Sequence, residues 1–278
     1  MHVAAPVRFG RTAIARSIAS FAAAGLLVAG SFASVNAASP SASPSTSSST
    51  AAAAGHRYCI PEWTAAIAQP RVDRLRAVGD CEINRRFVTL DSLTHLVDTS
   101  DVLTSEHKID LRDVNSTNPA SFAATRSGLT TLKSSIDTDT TVAALRTDIA
   151  KIAPDYRVYL LVVPKTYLVS ASDAVEKASA RFGPLASELQ NLINLAKADG
   201  KDVTAAQAAL DDLNAKVSQV NSLIGPVANS LLPLSPSDWN NGTAKSVMSS
   251  ARTTIHQSRD LLVAAGKDAH KVIVLLGS

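Results

Sequence analysis

Residues 168–231 read LVSASDAVEKASARFGPLASELQNLINLAKADGKDVTAAQAALDDLNAKVSQVNSLIGPVANSL. Leu168, Ala171, Val175, Ala178, Phe182, Leu185, Leu189, Leu192 and Ala196 alternate three and four residues apart. After Asp199-Gly200-Lys201-Asp202 the alternation resumes at Val203, Ala206, Leu210, Leu213, Val217, Val220, Ile224, Val227 and Leu231. Steps of three and four place apolar side chains on one stripe of an α-helix. Gly200 supplies the left-handed residue that ends one helix, and Asp202 can cap the next. So short a connection lays the two helices antiparallel, as arms of about 45 Å at 1.5 Å per residue. Gly183-Pro184 and Gly225-Pro226 interrupt the arms without breaking phase. They therefore read as kinks in continuous helices, with a functional hinge as the alternative.

Outward from the hairpin, Leu232–Thr243 holds Pro233, Pro236, Asn241 and Gly242 and reads as a loop. Ala244, Met248, Ala251, Ile255, Ser258, Leu262, Ala265, Ala269 and Val272 then repeat the spacing, predicting a third long helix folded back beside the hairpin. The chain closes on Val272-Ile273-Val274-Leu275-Leu276, expected to bury against the first-half helices, or else to meet a partner or the cell wall. Trp239 reads as a plug at the bundle end, with a binding anchor as the alternative.

Toward the N-terminus the pattern is weaker. A helix is expected from Val72 to about Val97, with Val72, Leu75, Ile83, Phe87, Leu90, Leu93 and Val97 on its stripe and Pro70 near its start. Thr104 or Ser105 can cap a short helix reaching Val114, and Asn115–Pro119 breaks it. Ser121–Ile136 reads as helix, as does the segment carrying Val142, Leu145, Ile149 and Ile152. Tyr156–Val163 is β-branched, aromatic and nearly all apolar, so a buried strand competes with helix there. Helix is preferred, because Val158, Leu161 and Lys165 carry the stripe of Leu168 backwards, and Pro164 should kink or start the helix.

Residues 1–37 have the layout of a secretory signal peptide. Arg8, Arg11 and Arg16 form a basic start, Ser17–Gly30 is apolar and small, and Val35-Asn36-Ala37 offers a cleavage site. An uncleaved anchor is the alternative, although the apolar run falls short of the roughly 20 residues of a span. Residues 38–56 are rich in Ser, Ala, Thr and Pro and read as a disordered tether. Residues 57–278 are then the folded domain, shorter helices over 57–164 and the long ones over 165–278.

The chain carries 27 basic and 24 acidic residues, and three of the basic ones precede Ala38, leaving 24 against 24. The sequence pI of about 8.9 is thus largely owed to the removable segment. Nothing here supplies the clustered cations that nucleic acid or an anionic surface requires. Aromatic content of 4% and abundant Ala suit close helix packing and not a β-sandwich or an aromatic-lined pocket. Cys59 and Cys81 are the only cysteines, and in an exported chain they are expected to form one disulfide. Beyond that bond, the expected catalytic, cofactor-binding and metal sites are none.

The histidines after residue 37 are His56, His95, His107, His256 and His270, and none completes a zinc or H-E-x-x-H pattern. His107 and Asp110 can share a helix face as a surface pair. Asp91, Asp98 and Asp101 read as a solvated acidic face and lack the spacing of a calcium loop. Asn115-Ser116-Thr117 and Asn241-Gly242-Thr243 match the N-glycosylation acceptor pattern.

The signal-peptide layout, Asp155-Tyr156-Arg157-Val158-Tyr159 running into Val163-Pro164-Lys165, and the following hairpin resemble a loose group of uncharacterised secreted helical proteins of high-GC Gram-positive bacteria. The resemblance spans Val72 to the C-terminus. It implies export and a helical fold, and no activity.

The expectation is therefore an all-α protein: an elongated antiparallel helical bundle with three long heptad-patterned helices in its second half. It would be exported or envelope-associated and non-enzymatic, a spacer, scaffold or binding surface for a protein or cell-wall partner, with no nucleic acid and no stable membrane span after cleavage. A membrane-active, toxin-like bundle and an envelope-acting hydrolase are the alternatives. The same stripes can pack within one chain or between two, and the short Asp199–Asp202 turn favours one chain.

Overall fold

The computed structural model describes Cys59, Thr64 and residues 70–113 and 118–277. The expected signal peptide and tether, His56 and Asn115-Ser116-Thr117 lie outside those residues. The fold is all-α, and no strand occurs among the described residues.

Helix α1 (Arg71–Thr99) is followed by α2 (Ser105–Arg112), α3 (Phe122–Thr138) and α4 (Val142–Lys151). Thr104, Ser121 and Thr141 cap α2, α3 and α4 by accepting the backbone N–H of His107, Ala124 and Ala144. Helix α2 stops at Arg112, short of the expected Val114, where Asp113 turns into extended backbone.

The ambiguous segment is helical, in an unusual form. Arg157 is left-handed (φ 44°), and its carbonyl accepts the N–H groups of Leu160, Leu161 and Val162. Val158–Val162 is a π-helical turn that runs directly into α5 (Val163–Ala180), where Pro164 sits in the first turn and needs no N–H.

Helix α6 (Phe182–Ala198) continues the first arm after a one-residue interruption at Arg181. The Pro184 ring crowds the carbonyl four residues back, Ala180, which is where α5 ends. Pro226 is instead absorbed inside α7 (Thr204–Leu231). Between α6 and α7, Gly200 is left-handed (φ 79°), and Asp202 Oδ1 accepts Thr204 N at 3.0 Å. Ser179–Asn221 and Gln190–Gln207 hydrogen bonds fix the arms antiparallel.

The stretch read as loop contains a short helix, α8 (Pro236–Asn240). Ser235 and Asp238 close a capping box around it, an arrangement that the prolines at 233 and 236 conceal in the sequence. Helix α9 (Thr243–Gly277) then returns along α7. Lys216 pairs with Asp268, and Lys201 Nζ reaches Leu276 O at 3.1 Å. At 35 residues α9 is about 52 Å long, enough to carry its C-terminus to the Gly200 turn. Val272 is therefore buried against Leu189, Ile193 and Leu210 of the hairpin, with Ile273, Leu275 and Leu276 beside it. The expected burial on the first-half helices is corrected, because antiparallel packing takes that end away from them.

The main core joins both halves: Ile83, Leu90, Leu129 and Leu145 share one cluster with Leu161, Val169, Ile224 and Ile255. Trp239 packs half-buried against it, with Lys245 Nζ 5.4 Å from the ring centre.

Two positions test this packing. A Cβ on Gly128 would lie 2.5 Å from Tyr156 Cε1, so the ring would have to move. Overpacking of that kind costs about 1–3 kcal/mol, against about 1 kcal/mol of helix propensity gained. Gly128→Ala should lower the melting temperature, and a rise would show that Tyr156 yields freely. Ser258 Oγ is buried on α9 without a hydrogen-bond partner. Such a hydroxyl costs about 1–3 kcal/mol, so Ser258→Ala should raise Tm by about 2–4 °C per kcal/mol recovered. A lower Tm would mean that the hydroxyl has a partner in solution.

Candidate functional site

Helix α5 carries charged side chains into its buried face. Lys165 and Asp173 are eight residues, about two turns, apart, and both are buried. Together with Lys177 they tie down the segment 100–113, a strap whose helix α2 packs on α1 and α3.

The Asp173 carboxylate is 2% exposed. Its Oδ2 accepts Thr104 N at 2.8 Å, and His107 Nδ1 lies 2.8 and 3.0 Å from its two oxygens. Thr104 is also the α2 cap, so one carboxylate binds the strap at the start of α2 and one turn inside it. The hydrogen bond to Asp173 raises the His107 pKa above the ordinary histidine value, against the opposing effect of burial. Glu176 stands one turn along; burial, then the Asp173 charge, raises its pKa. Lys177 Nζ donates to Asp101 O at 2.5 Å.

Lys165 is fully buried. Its Nζ donates to Asn118 Oδ1 at 2.6 Å, Leu234 O at 3.0 Å and Leu232 O at 3.3 Å. Three acceptors match the three protons of an ammonium group. Burial nonetheless pushes its pKa down to about 7, against the Asp238 charge. Asn118 Nδ2 donates in turn to Asp110 O at 2.8 Å. Lys165 thus ties the loop before α8 to Asn118, and through it to the C-terminal end of α2.

A third junction lies around the π-helical turn. Arg157 Nε donates to Asn240 Oδ1 at 2.7 Å, and Asn240 Nδ2 to Pro154 O at 3.1 Å. The guanidinium groups of Arg86 and Arg85 lie 5.2 and 5.8 Å from the Tyr159 ring centre. Arg86 is buried and also binds Glu82.

The structure redistributes the residues singled out in the sequence. Cys59 and Cys81 are joined as a disulfide with Cα atoms 5.7 Å apart. His107 does not pair with Asp110; it turns to Asp173, sixty-six residues away, because a buried carboxylate attracts the imidazolium more strongly than a surface one. Asp91, Asp98 and Asp101 are all exposed, as a solvated face requires; Asp91 also pairs with Arg126 and Asp98 with Arg112, and the Asp101 backbone receives Lys177. His95 shares a shallow hollow on α1 with Asp91 and Asp98, and His256 one on α9 with Asp260. Among the described residues no group of three or more His, Cys, Asp and Glu could hold a metal ion. His270 is exposed on α9, and Asn241 Oδ1 is engaged by Thr243 N.

Sequence reasoning missed Asp173 altogether. The available signal was a carboxylate in the apolar run between Val158 and Val175, where it needs a partner from elsewhere. Chemically, the His107–Asp173 pair can hold and release a proton. No protein-family model, curated protein or solved structure matches this chain.

Proposed function

We propose that the chain is an exported, non-enzymatic helical protein of the cell envelope or its surroundings, acting as a spacer, scaffold or binding surface. The observation that carries this reading is the pairing of α7 and α9, 28 and 35 residues long, side by side over most of their length. Near the Gly200 turn their buried faces carry the small Ala206, Ala209, Ala265 and Ala269 beside Leu213 and Val272, and the alanines let long helices approach closely. Such a pair extends a fold in one direction without enclosing a cavity. The disulfide between Cys59 and Cys81 is compatible with an extracytoplasmic location. Tyr159, Leu160 and Tyr167, all exposed around the start of α5, offer a surface for a protein or cell-wall partner.

Fractionation of the native host tests it. The chain should be recovered from wall, membrane-associated or medium fractions, with a new N-terminus near Ala38 by mass spectrometry. Recovery from the cytoplasm with residues 1–37 intact would sink the proposal.

A membrane-active bundle is the second reading, favoured by one feature. Val158–Ala198 is long and apolar enough to cross a bilayer, with a best-window mean hydropathy of 1.2, although 56% of that window is buried in the fold. Dye-loaded anionic liposomes decide between the readings: leakage at micromolar protein supports this one, and retention of dye removes it.

A further inference from the structure

The segment 100–113 is held by an unusual balance of forces. Its helix α2 has eight residues, too few to be stable alone. Leu111 is the only fully buried side chain that α2 contributes, and Leu103 precedes it in the turn. Polar ties do the rest. Arg112 and Lys108 reach Asp98 at the end of α1, and the others lead to α5: Asp101 O on Lys177, Thr104 N and His107 on Asp173, and Asp110 O on Asn118, which Lys165 holds. The strongest of these is an ion pair only while His107 is protonated, because the partner carboxylate is sealed from water.

We propose that residues 100–113 form a proton-controlled strap, locked onto α5 by the His107 imidazolium on buried Asp173, and loosened when that proton leaves. The deprotonated imidazole still donates from Nδ1, but the Asp173 charge is then left in a buried site with only neutral donors. Lifting the strap returns that carboxylate to water and uncovers Leu103 and Leu111.

The charges facing His107 agree on the direction. Glu176 on α5 and Glu106 on α2 both raise the His107 pKa alongside Asp173. Lys177 is committed to Asp101 O, and Lys165 acts on the strap only through Asn118. The sign follows from linkage: a histidine whose folded pKa lies above 6.5 stabilises the closed strap fully below 6.5 and loses that contribution as pH rises through the folded value. Closing is thus favoured in mild acid and opening in mild alkali.

Linkage also fixes the size of the effect. The ratio of strap-opening constants at high and low pH must equal the ratio of the His107 acid constants in the open and closed states. Hydrogen exchange of the backbone amides of residues 104–112 in the oxidised full chain, read between pH 6 and pH 9 and corrected for intrinsic rates, gives the first ratio. An NMR titration of His107 in the folded chain and in the urea-unfolded chain gives the second. The proposal expects protection of the strap to fall with rising pH by that ratio, while protection of α7 and α9 does not follow it. His107→Gln should give a strap already loose at pH 6, with a flat pH profile. Asp173→Asn, where it folds, should return His107 toward its unfolded titration. A pH-independent strap in the unaltered protein, or a pH response that survives in His107→Gln, would overturn the proposal. So would a His107 that titrates alike in the folded and unfolded chains.

Discussion

Lys165→Ala is expected to cost about 4 kcal/mol, the sum of a core cavity and stranded acceptors. The side chain fills a fully buried position, and its Nζ satisfies Asn118 Oδ1, Leu232 O and Leu234 O. At about 2–4 °C per kcal/mol for a chain of this size, the melting temperature should fall by roughly 8–16 °C. Lys165→Met keeps most of the volume and removes the ammonium, so it separates the charge from the packing. The Lys165 pKa lies near 7 in the fold against 10.5 unfolded. Between those values the unfolded chain holds a proton that the folded chain has released, so stability from this group rises with pH across that window and is constant below it. His107 works the other way, losing stability as pH rises through its raised pKa. Urea titrations at pH 6, 8 and 10 should therefore show Lys165→Met losing the alkaline gain and keeping the histidine's decline. An unchanged profile would mean that Lys165 keeps its proton throughout, held by its three acceptors.

Opening the Cys59–Cys81 disulfide is the second large effect. The bond spans 22 residues, and closing a loop of that size contributes about 3 kcal/mol in the chain-entropy account. Cys81 is buried on the inner face of α1, so the clean comparison is Cys59→Ser with Cys81→Ala, which places no hydroxyl in the core. Tm should fall by roughly 6–12 °C on substitution, and by a similar amount when the unaltered protein is reduced. Equal Tm with and without reductant would show that the two sulfurs are not bonded in the native protein.

Much of this fold could be read from spacing alone, and the reasons are specific. Ala244, Met248, Ala251, Ile255, Ser258, Leu262, Ala265, Ala269 and Val272 were chosen for their three-four alternation, and all are buried on α9. Every position of that stripe is occupied by an apolar or small residue, so period and burial coincide. On α1 the buried Gly79, Ile83, Arg86, Leu90, Leu93 and Val97 keep the same three-four spacing, and Cys81 lies off it. That stripe reads weakly in the sequence because Gly79 and Arg86 hold two of its positions without an apolar side chain. Lys165 fell on the stripe of Leu168 by phase, and it is indeed buried. Its partners were not legible, because two of them are backbone carbonyls of the α8 loop. The His107–Asp173 pair crosses sixty-six positions, and only the tertiary fold brings the two residues together. Local reasoning offered Asp110 because it could see no further than one helix. The π-helical turn was legible only as a conflict between strand-like composition and helical phase.

The disulfide also decides where a pull would enter the molecule. Cys81 lies well inside α1, ten residues past Arg71. Tension arriving along the chain before Cys59 therefore bypasses the first turns of α1 and loads the helix in its middle. There Ile83 and Leu90 anchor it in the core, so the load shears a packed face. With the bond reduced, the same tension would arrive at Pro70 and peel α1 turn by turn from its end. A tethered envelope protein would resist far greater force in the first geometry than in the second, which makes the redox state of two sulfur atoms a mechanical setting.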